Sequence, residues 1–495
     1  MRNLLDTSTK RRLEIIEQLN LNSKWISSND LAKKNNASLR TINSDIQYLK
    51  ENAEDFFTIE TSKKNGVRLK ARPNSDISLI YNRVIKSSDA FNLLEKIFFN
   101  PNVLIENWDE EMFISESSLY RTAGQLSNSL KSFDITLQKR PCHLTNHNEE
   151  NVRSFYTNYF SEVYGIHNWP FTLDRRLIVR LAEELYTIFE HASDEFLIIQ
   201  LTYLLAVSLE RYKQGFLIKL SDDQKISRNR YQKYISESIG LSTTLGELGI
   251  EITDDLVNDL VNSVYFLKAT WVTKIDENHL KKQFDELLNK IQYDLGIQID
   301  NQSRADVHTI LLLIQYKHTF FPYTDYILYD RYEFNSNAIK INYPAYNTTV
   351  TYHLKELEKV TGFPWHSKFN NKVLYWMMVK WNKLPTLLEN KKKRVNIMIF
   401  SDLGLQHAEL LQDMIEKNFN SKVNLTIYRG STIFLEEVNP DEMNQYDFHI
   451  TTFYHELFPP HKTIVVEAIP SDQDWGKIRN AIHSIYRFDP QTNNL

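Results

Sequence analysis

Spacings of three and four dominate the apolar positions of this chain, and they first resolve into a compact unit at its start. Residues 8–20, 27–35 and 38–52 read as three helices, with Leu13, Ile16 and Leu19 on one stripe of the first. In the third, Leu39, Ile42, Ile46 and Leu49 follow at three, four and three, a stripe expected to be buried. Asn35-Asn36-Ala37 stands between the second and third helices and Ser38 opens the third, which is the helix-turn-helix pattern. The stretch FFTIETSKKNGVRLKAR then predicts a strand, a tight Lys-Lys-Asn-Gly turn and a second strand, a wing on that unit.

Similar grammar returns over residues 91–145 in FNLLEKIFF, WDEEMF, SESSLYRTAGQLSNSLKSF and DITLQKRPCHL. Leu119, Ala123, Leu126 and Leu130 form the buried stripe of its last helix, and one strand is expected after it. From about 150 to 390 long amphipathic helices follow, with breaks expected near Gly215, Gly240, Gly246, Gly296 and Pro322. RLIVRLAEELYTIFE, EFLIIQLTYLLAVSLERYKQG and DDLVNDLVNSVYFLKATWV recur in looser form as KQFDELLNKIQYDLG, ADVHTILLLIQYKHTFF and KVLYWMMVKWNKLPTLLEN, which predicts two successive helical bundles. After the basic run Lys391 to Arg394 the period changes. VNIMIF, HAELLQDMIEKNF, VNLTIY, DFHITTF and TIVVEAI alternate strand, helix, strand, strand, strand, with a last helix near WGKIRNAIHSI. Such short apolar runs suit a small, buried, mainly parallel sheet.

The fold class expected is therefore multidomain and predominantly α. Two N-terminal winged or wingless helix-turn-helix units fill 1–75 and 76–165, helical bundles 166–285 and 286–392, and a small α/β domain 393–495.

Charge sharpens this picture. Residues 1–72 hold 14 Lys/Arg against 9 Asp/Glu, whereas the whole chain carries a net charge of -5, so a basic head is joined to an acidic body. That asymmetry fits a nucleic-acid-binding module attached to other machinery. A single cysteine, Cys142, excludes a disulfide framework, a cysteine zinc cluster and a two-cysteine redox pair within the chain, in keeping with a reducing cytoplasm. Only 12 glycines in 495 residues argue against glycine-rich phosphate loops. No apolar run approaches the ~18 residues of a membrane span, so a soluble, non-exported protein with no membrane partner is expected.

Side chains left on the outer face of the third helix are Ser38, Arg40, Thr41, Asn43, Ser44, Gln47 and Lys50, donors and short polar groups suited to base edges and phosphates. Lys63, Lys64, Arg68 and Lys70 give the wing its positive charge, with Lys63, Lys64 and Arg68 taken as contact residues. In the second unit Ser118, Tyr120, Arg121, Gln125 and Asn128 are expected to face outward. Histidines 308, 318 and 353 lie on predicted helices without a partner at metal-ligand spacing, and Glu183/Glu184 and Asp254/Asp255 point apart as solvated faces. No cofactor, metal or catalytic group is expected.

The order now reached resembles the Mga/AtxA group of Gram-positive virulence regulators over nearly the whole chain. The resemblance implies a homodimeric transcription factor whose bundles are phosphotransferase-system regulation domains and whose tail is similar to a sugar-transporter IIB component. IIQLTYLLAVSLERYKQG looks like a regulation-domain core helix, where the family places a phosphorylatable histidine seven residues before an arginine. Counting back from Arg211 gives Leu204, and no histidine stands between His191 and His279. His308 is the candidate acceptor in the second bundle, although the position seven residues on is Gln315. In the tail, Ser401-Asp402-Leu403-Gly404 occupies the place of a IIB phosphocysteine loop; a serine without a base, beside an aspartate, is expected to carry no phosphotransfer.

The function expected is that of a DNA-binding transcription regulator, an activator, reading sequence or shape through the helix from Ser38 to Lys50. Its expected partners are double-stranded DNA, a second copy bound through the C-terminal half, and a phosphocarrier protein. An RNA-binding antiterminator and a phosphotransferase-system enzyme component are the alternatives.

Overall fold

The computed structural model describes residues 1–21, 24–52, 54–55, 57–73, 76–166, 168–188, 195–218, 229–264, 277–438 and 440–486. The chain divides into two compact units, Met1–Leu280 with Leu311–Phe334, and Lys281–Ile310 with Asn335–Leu495.

The first unit opens with helices α1 (Thr7–Leu21), α2 (Ser28–Lys34) and α3 (Leu39–Asn52). Ser27 caps α2, accepting the Asp30 amide at 3.1 Å while its own hydroxyl donates to the Asp30 carboxylate at 2.7 Å. Asn36, at φ 47°, takes the left-handed conformation that an asparagine tolerates, and this reverses the chain between the two helices. Ser38 then caps α3 by accepting the Thr41 amide at 3.1 Å. Strands β1 (Phe57–Ser62) and β2 (Gly66–Ala71) pair antiparallel, from Phe57 opposite Ala71 to Ser62 opposite Gly66, and form the wing.

A third edge joins that hairpin where Ile26 and Val67 exchange both backbone hydrogen bonds, at 2.9 and 2.8 Å. Gly66 makes the approach feasible: its φ is +101° and a Cβ there would run into the Ile26 carbonyl. Gly66→Ala is expected to destabilise the wing by about 1–3 kcal/mol. Faster amide exchange at Ile26 and Val67 would register it; unchanged exchange would show that the approach is not tight.

Helices α4 (Ser78–Lys86), α5 (Asp89–Phe99), α6 (Asp109–Met112), α7 (Glu116–Leu130) and α8 (Glu149–Tyr164) make up the second helix-turn-helix unit. Leu119, Ala123, Leu126 and Leu130 are buried as expected. One correction concerns the strand after α7, which is a hairpin: β3 (Thr136–Lys139) pairs antiparallel with β4 (Cys142–Thr145), so this unit is winged as well. Phe98, Phe99, Tyr156, Phe160 and Phe171 meet at steep angles behind it, in one hydrophobic core continuous with that of the first winged unit and the first bundle.

The first bundle contains α9 (Arg175–Ile188), α10 (Glu195–Lys213), α11 (Asn229–Glu237), α12 (Ile239–Glu247) and α13 (Asp254–Val264). Gly215 does end α10, at φ 84°. Gly240 and Gly246, expected as breaks, lie inside α12 instead; a Cβ on Gly240 would meet only the Glu184 carboxylate, the end of a side chain that can turn aside. The predicted continuation from VYFLKATWV falls at residues 265–272, outside the described residues.

Helices α14 (Glu277–Leu295), α15 (Asn301–Phe320), α16 (Arg331–Asn342), α17 (Pro344–Thr361), α18 (Asn370–Lys380) and α19 (Leu384–Lys391) follow, and they are not one separate bundle: Leu311–Phe334 belong to the first unit, so the division between units runs through α15 and α16. A boundary at 285/286 cuts α14, and the single segment predicted over 372–390 is two helices, parted at Trp381–Lys383 where Lys383 is left-handed at φ 57°. The stretch Phe321–Asp330 packs within the first unit, where the Glu162 carboxylate accepts the Ile327, Leu328 and Tyr329 amides at 2.6, 2.8 and 3.0 Å. Burial raises the Glu162 carboxyl to about 7, against the pull of those three donors.

The C-terminal domain carries β5 (Val395–Phe400), α20 (Leu405–Phe419), β6 (Val423–Ile427), α21 (Pro440–Asn444), β7 (Phe448–Thr451), β8 (Thr463–Val465) and α22 (Asp472–Tyr486). All four strands are parallel in the order β6-β5-β7-β8, as the apolar runs predict. Ile397 and Ile399 meet α20 and α22 on one face through Leu411, Ile415, Ile478 and Ile482, while Met398 and Phe400 pack on the other against Leu435 and Phe458. Being covered on both sides explains why β5 reads as an unbroken apolar run.

Candidate nucleic-acid interface

α3 is set at its angle by a buried charge. Asp45, 2% exposed, accepts the Arg11 and Arg12 Nε–H groups at 2.5 and 2.9 Å, and Arg12 then lies 3.5 Å over the Tyr48 ring. Periodicity gave no warning of it, because Asp45 falls between Ile42 and Ile46 on what looks like polar surface; the adjacent Arg11-Arg12 pair was the available sign. Ile42, Ile46 and Leu49 are buried, but Leu39 is 44% exposed, a correction to the predicted stripe: it belongs to the first turn of the helix.

Arg40, Asn43, Ser44 and Gln47 stand exposed along the outer face of α3, with Thr41 and Lys50 half-buried at its sides. Ser38 and Thr41 share a hydroxyl hydrogen bond of 2.8 Å at the helix start, Gln47 donates to Glu51 at 2.6 Å, and Lys50 reaches Thr61 of β1 at 2.8 Å. Arg40, Asn43 and Ser44 have no side-chain hydrogen-bond partner among the described residues, so their donors and acceptors are open to an outside ligand. On the wing Lys63, Lys64 and Lys70 are exposed. Arg68 is engaged, donating through Nε and Nη2 to Glu60 at 3.0 and 2.5 Å with its guanidinium 4.8 Å from the Trp25 ring centroid.

In the second unit Ser115 caps α7, and Arg121, Gln125 and Asn128 are exposed. Ser118 and Tyr120, expected to face outward, are only half exposed, and the Tyr120 hydroxyl donates to Glu106 at 2.6 Å. Lys139 and Arg140 at the tip of the β3–β4 hairpin are exposed cations that apolar periodicity missed together with the hairpin itself. The adjacent basic pair ahead of Pro141, mirroring Lys63-Lys64 ahead of Asn65-Gly66, was the signal for it.

The two candidate phosphate sites are differently furnished. His308 is 12% exposed, with Nε2 3.3 Å from the Asp285 carboxylate, and burial lowers its pKa against the pull of that charge. Leu204, where the resemblance would place a histidine, is buried, and Arg211 is paired with Glu149 through hydrogen bonds of 2.7 Å from Nε and Nη2. Ser401 does have a base beside it, contrary to expectation: its hydroxyl is 2.8 Å from His407 Nδ1, and His407 Nε2 is 2.7 Å from the Ala468 carbonyl. Donation to that carbonyl leaves Nδ1 as the acceptor for the serine proton. The same hydroxyl oxygen accepts the Leu403 amide at 3.1 Å, and Asp402 is tied to Thr452. Among the described residues no helix is long and apolar enough to cross a membrane, and no group of three His, Cys, Asp or Glu side chains could hold a metal ion.

Residues 11–68 match the family model of a helix-turn-helix domain, and residues 73–160 match the Mga helix-turn-helix domain, so both winged units are covered. A protein of Streptococcus pneumoniae serotype 4 named as a trans-acting regulator is 24% identical over 93% of this chain and 94% of its own. The capsule synthesis positive regulator AcpB of Bacillus anthracis is 21% identical over 96% of this chain and 98% of its own, and AcpA of the same organism 22% identical over 56% and 57%. These relatives carry the names of regulators, not of enzymes. Helix-turn-helix models thus match both N-terminal units, and the chain is similar almost from end to end to proteins named as regulators.

Proposed function

We propose that the protein is a cytoplasmic transcription activator that grips duplex DNA with both winged units, α3 reading the major groove and the wing cations holding phosphates. The observation that carries this is the unsatisfied Arg40-Asn43-Ser44 face of α3 standing in the same unit as the exposed Lys63-Lys64 tip. Activation is the direction printed in the names of AcpA and AcpB. The helical bundles act in this reading as phosphotransferase-system regulation domains, with His308 as the residue a phosphocarrier protein would address; Asp285 beside it opposes a second negative charge there.

A homodimer through the C-terminal half completes the proposal. Leu403, Ile433, Phe434, Tyr454 and Ile469 are exposed on loops that follow the four parallel strands of the IIB-like domain, an apolar surface of the kind a symmetric interface covers.

Binding to a labelled DNA duplex, followed by anisotropy across salt concentrations with unlabelled RNA as competitor, tests the reading. Lys63→Ala/Lys64→Ala is expected to weaken binding to all sequences alike and to flatten the plot of log K against log salt by about 0.9 for each phosphate no longer neutralised. Failure of the unaltered protein to bind the duplex at low salt, or displacement by RNA in preference to DNA, would overturn it.

A further inference from the structure

Between α7 and the second wing, two donors from separate elements converge on one oxygen. Glu106, in the single 3-10 turn Ile105–Trp108, accepts the Tyr120 hydroxyl and an Arg140 Nη2–H on the same Oε1, each at 2.6 Å. Its Oε2 is shut off from solvent and has no hydrogen-bond partner among the described residues. Lys139 lies with its ammonium 5.9 Å from the Tyr120 ring centroid, and Arg140 is 72% exposed with most of its guanidinium donors unused. The Tyr120 bond is the chief reason the Glu106 carboxyl is lowered to about 2, so it is ionised at any physiological pH.

A carboxylate oxygen held by a tyrosine hydroxyl and an arginine fork, next to a lysine, occupies a setting made for a singly charged oxyanion. In a winged helix-turn-helix the space between the recognition helix and the wing is where backbone phosphates pass. We infer that Tyr120, Lys139 and Arg140 form a second DNA phosphate clamp, and that Glu106 is its built-in counter-charge, displaced from Arg140 when a phosphate arrives. This rests on the DNA-binding reading above and adds to it a site and a restraint on non-specific affinity. The Glu106–Arg140 pair is exposed on the arginine side, so a phosphate exchanges for it at small cost, and Glu106 lowers affinity without abolishing binding.

Salt titrations with a labelled mixed-sequence duplex test the clamp through Glu106→Gln, Arg140→Ala and the two combined, with Lys63→Ala/Lys64→Ala as the first-wing reference. Glu106→Gln keeps the acceptor for Tyr120 and frees Arg140, and is expected to tighten binding about two- to fivefold. It should also steepen the salt slope by up to about 0.9, and Arg140→Ala should flatten the slope by about the same amount. In the Arg140→Ala background Glu106→Gln should then have no effect. The inference is overturned if Glu106→Gln changes neither quantity, or acts equally without Arg140, while the first-wing variant still weakens binding; that outcome leaves the general reading standing. If the unaltered protein ignores the duplex, both fall. Arg140 is at the surface, so its replacement keeps the measurement valid should the Glu106 variant fold poorly.

Discussion

Arg211→Ala is expected to destabilise the first unit by about 3–5 kcal/mol, the range found when one partner of a buried ion pair is removed. Arg211 and Arg153 are both about 1% exposed. Arg211 donates twice to Glu149 and once to the Leu144 carbonyl at 3.2 Å, and its guanidinium lies 3.7 Å over the Phe216 ring. Arg153 binds Asp259 through both terminal nitrogens at 2.5 and 2.9 Å and donates to the Phe216 carbonyl at 2.7 Å. Two cations and two anions thus neutralise one another across three elements, α8, α10 and α13, with the Leu144 carbonyl of β4 as a further acceptor. Without Arg211, Glu149 retains among the described residues only the side-chain donor Arg153 Nε, at 3.5 Å. Denaturant unfolding of the full chain, followed by fluorescence, should show the first transition moved to lower denaturant. Arg211→Met with Glu149→Leu should lose less than Arg211→Ala alone, since the stranded charge goes too. An Arg211→Ala midpoint unchanged within error would mean that water reaches this site and screens it.

Arg40→Ala and Asn43→Ala should have the largest effects on recognition. A well-placed bidentate contact from arginine to guanine, or asparagine to adenine, discriminates by about 1–3 kcal/mol, roughly 5- to 150-fold in the ratio of specific to non-specific binding. Both side chains lie on exposed α3 surface, so folding should be untouched while that ratio falls. Measured on a footprinted promoter fragment against a scrambled duplex of equal length, the two variants should lose discrimination with little change in salt slope, the reverse of the wing variants. Equal loss on both duplexes would make α3 a phosphate binder and leave sequence choice to DNA shape.

How much of this was legible beforehand follows from which forces are local. Stripes such as Ile42-Ile46-Leu49 and Leu119-Ala123-Leu126-Leu130 report burial directly, because one helix face meets one core. The unbroken apolar run of β5 likewise announced a strand covered on both faces. Features made by distant partners stayed hidden: Asp45 with Arg11 and Arg12, Arg211 with Glu149, and Ser401 with His407 join groups whose pairing no period encodes. Arg211 is the instructive case. The resemblance suggested a place beside a phosphorylated histidine, yet the guanidinium is bound to the first residue of α8, and the position seven residues before it is a buried leucine. Helix α16 lies in the stretch read as helical but was not singled out, its asparagines and aromatics blurring the apolar stripe; the second hairpin was read as one strand because the strands on either side of Arg140-Pro141 are only four residues each.

The polypeptide passes between its two compact units three times, at 280/281, 310/311 and 334/335. No single crossover in the gene can therefore exchange one whole unit for that of a cousin. A chimera spliced ahead of the second passage would set a foreign segment 327–329 on the resident Glu162, and because backbone amides make that clasp, any residues there but proline could still close it.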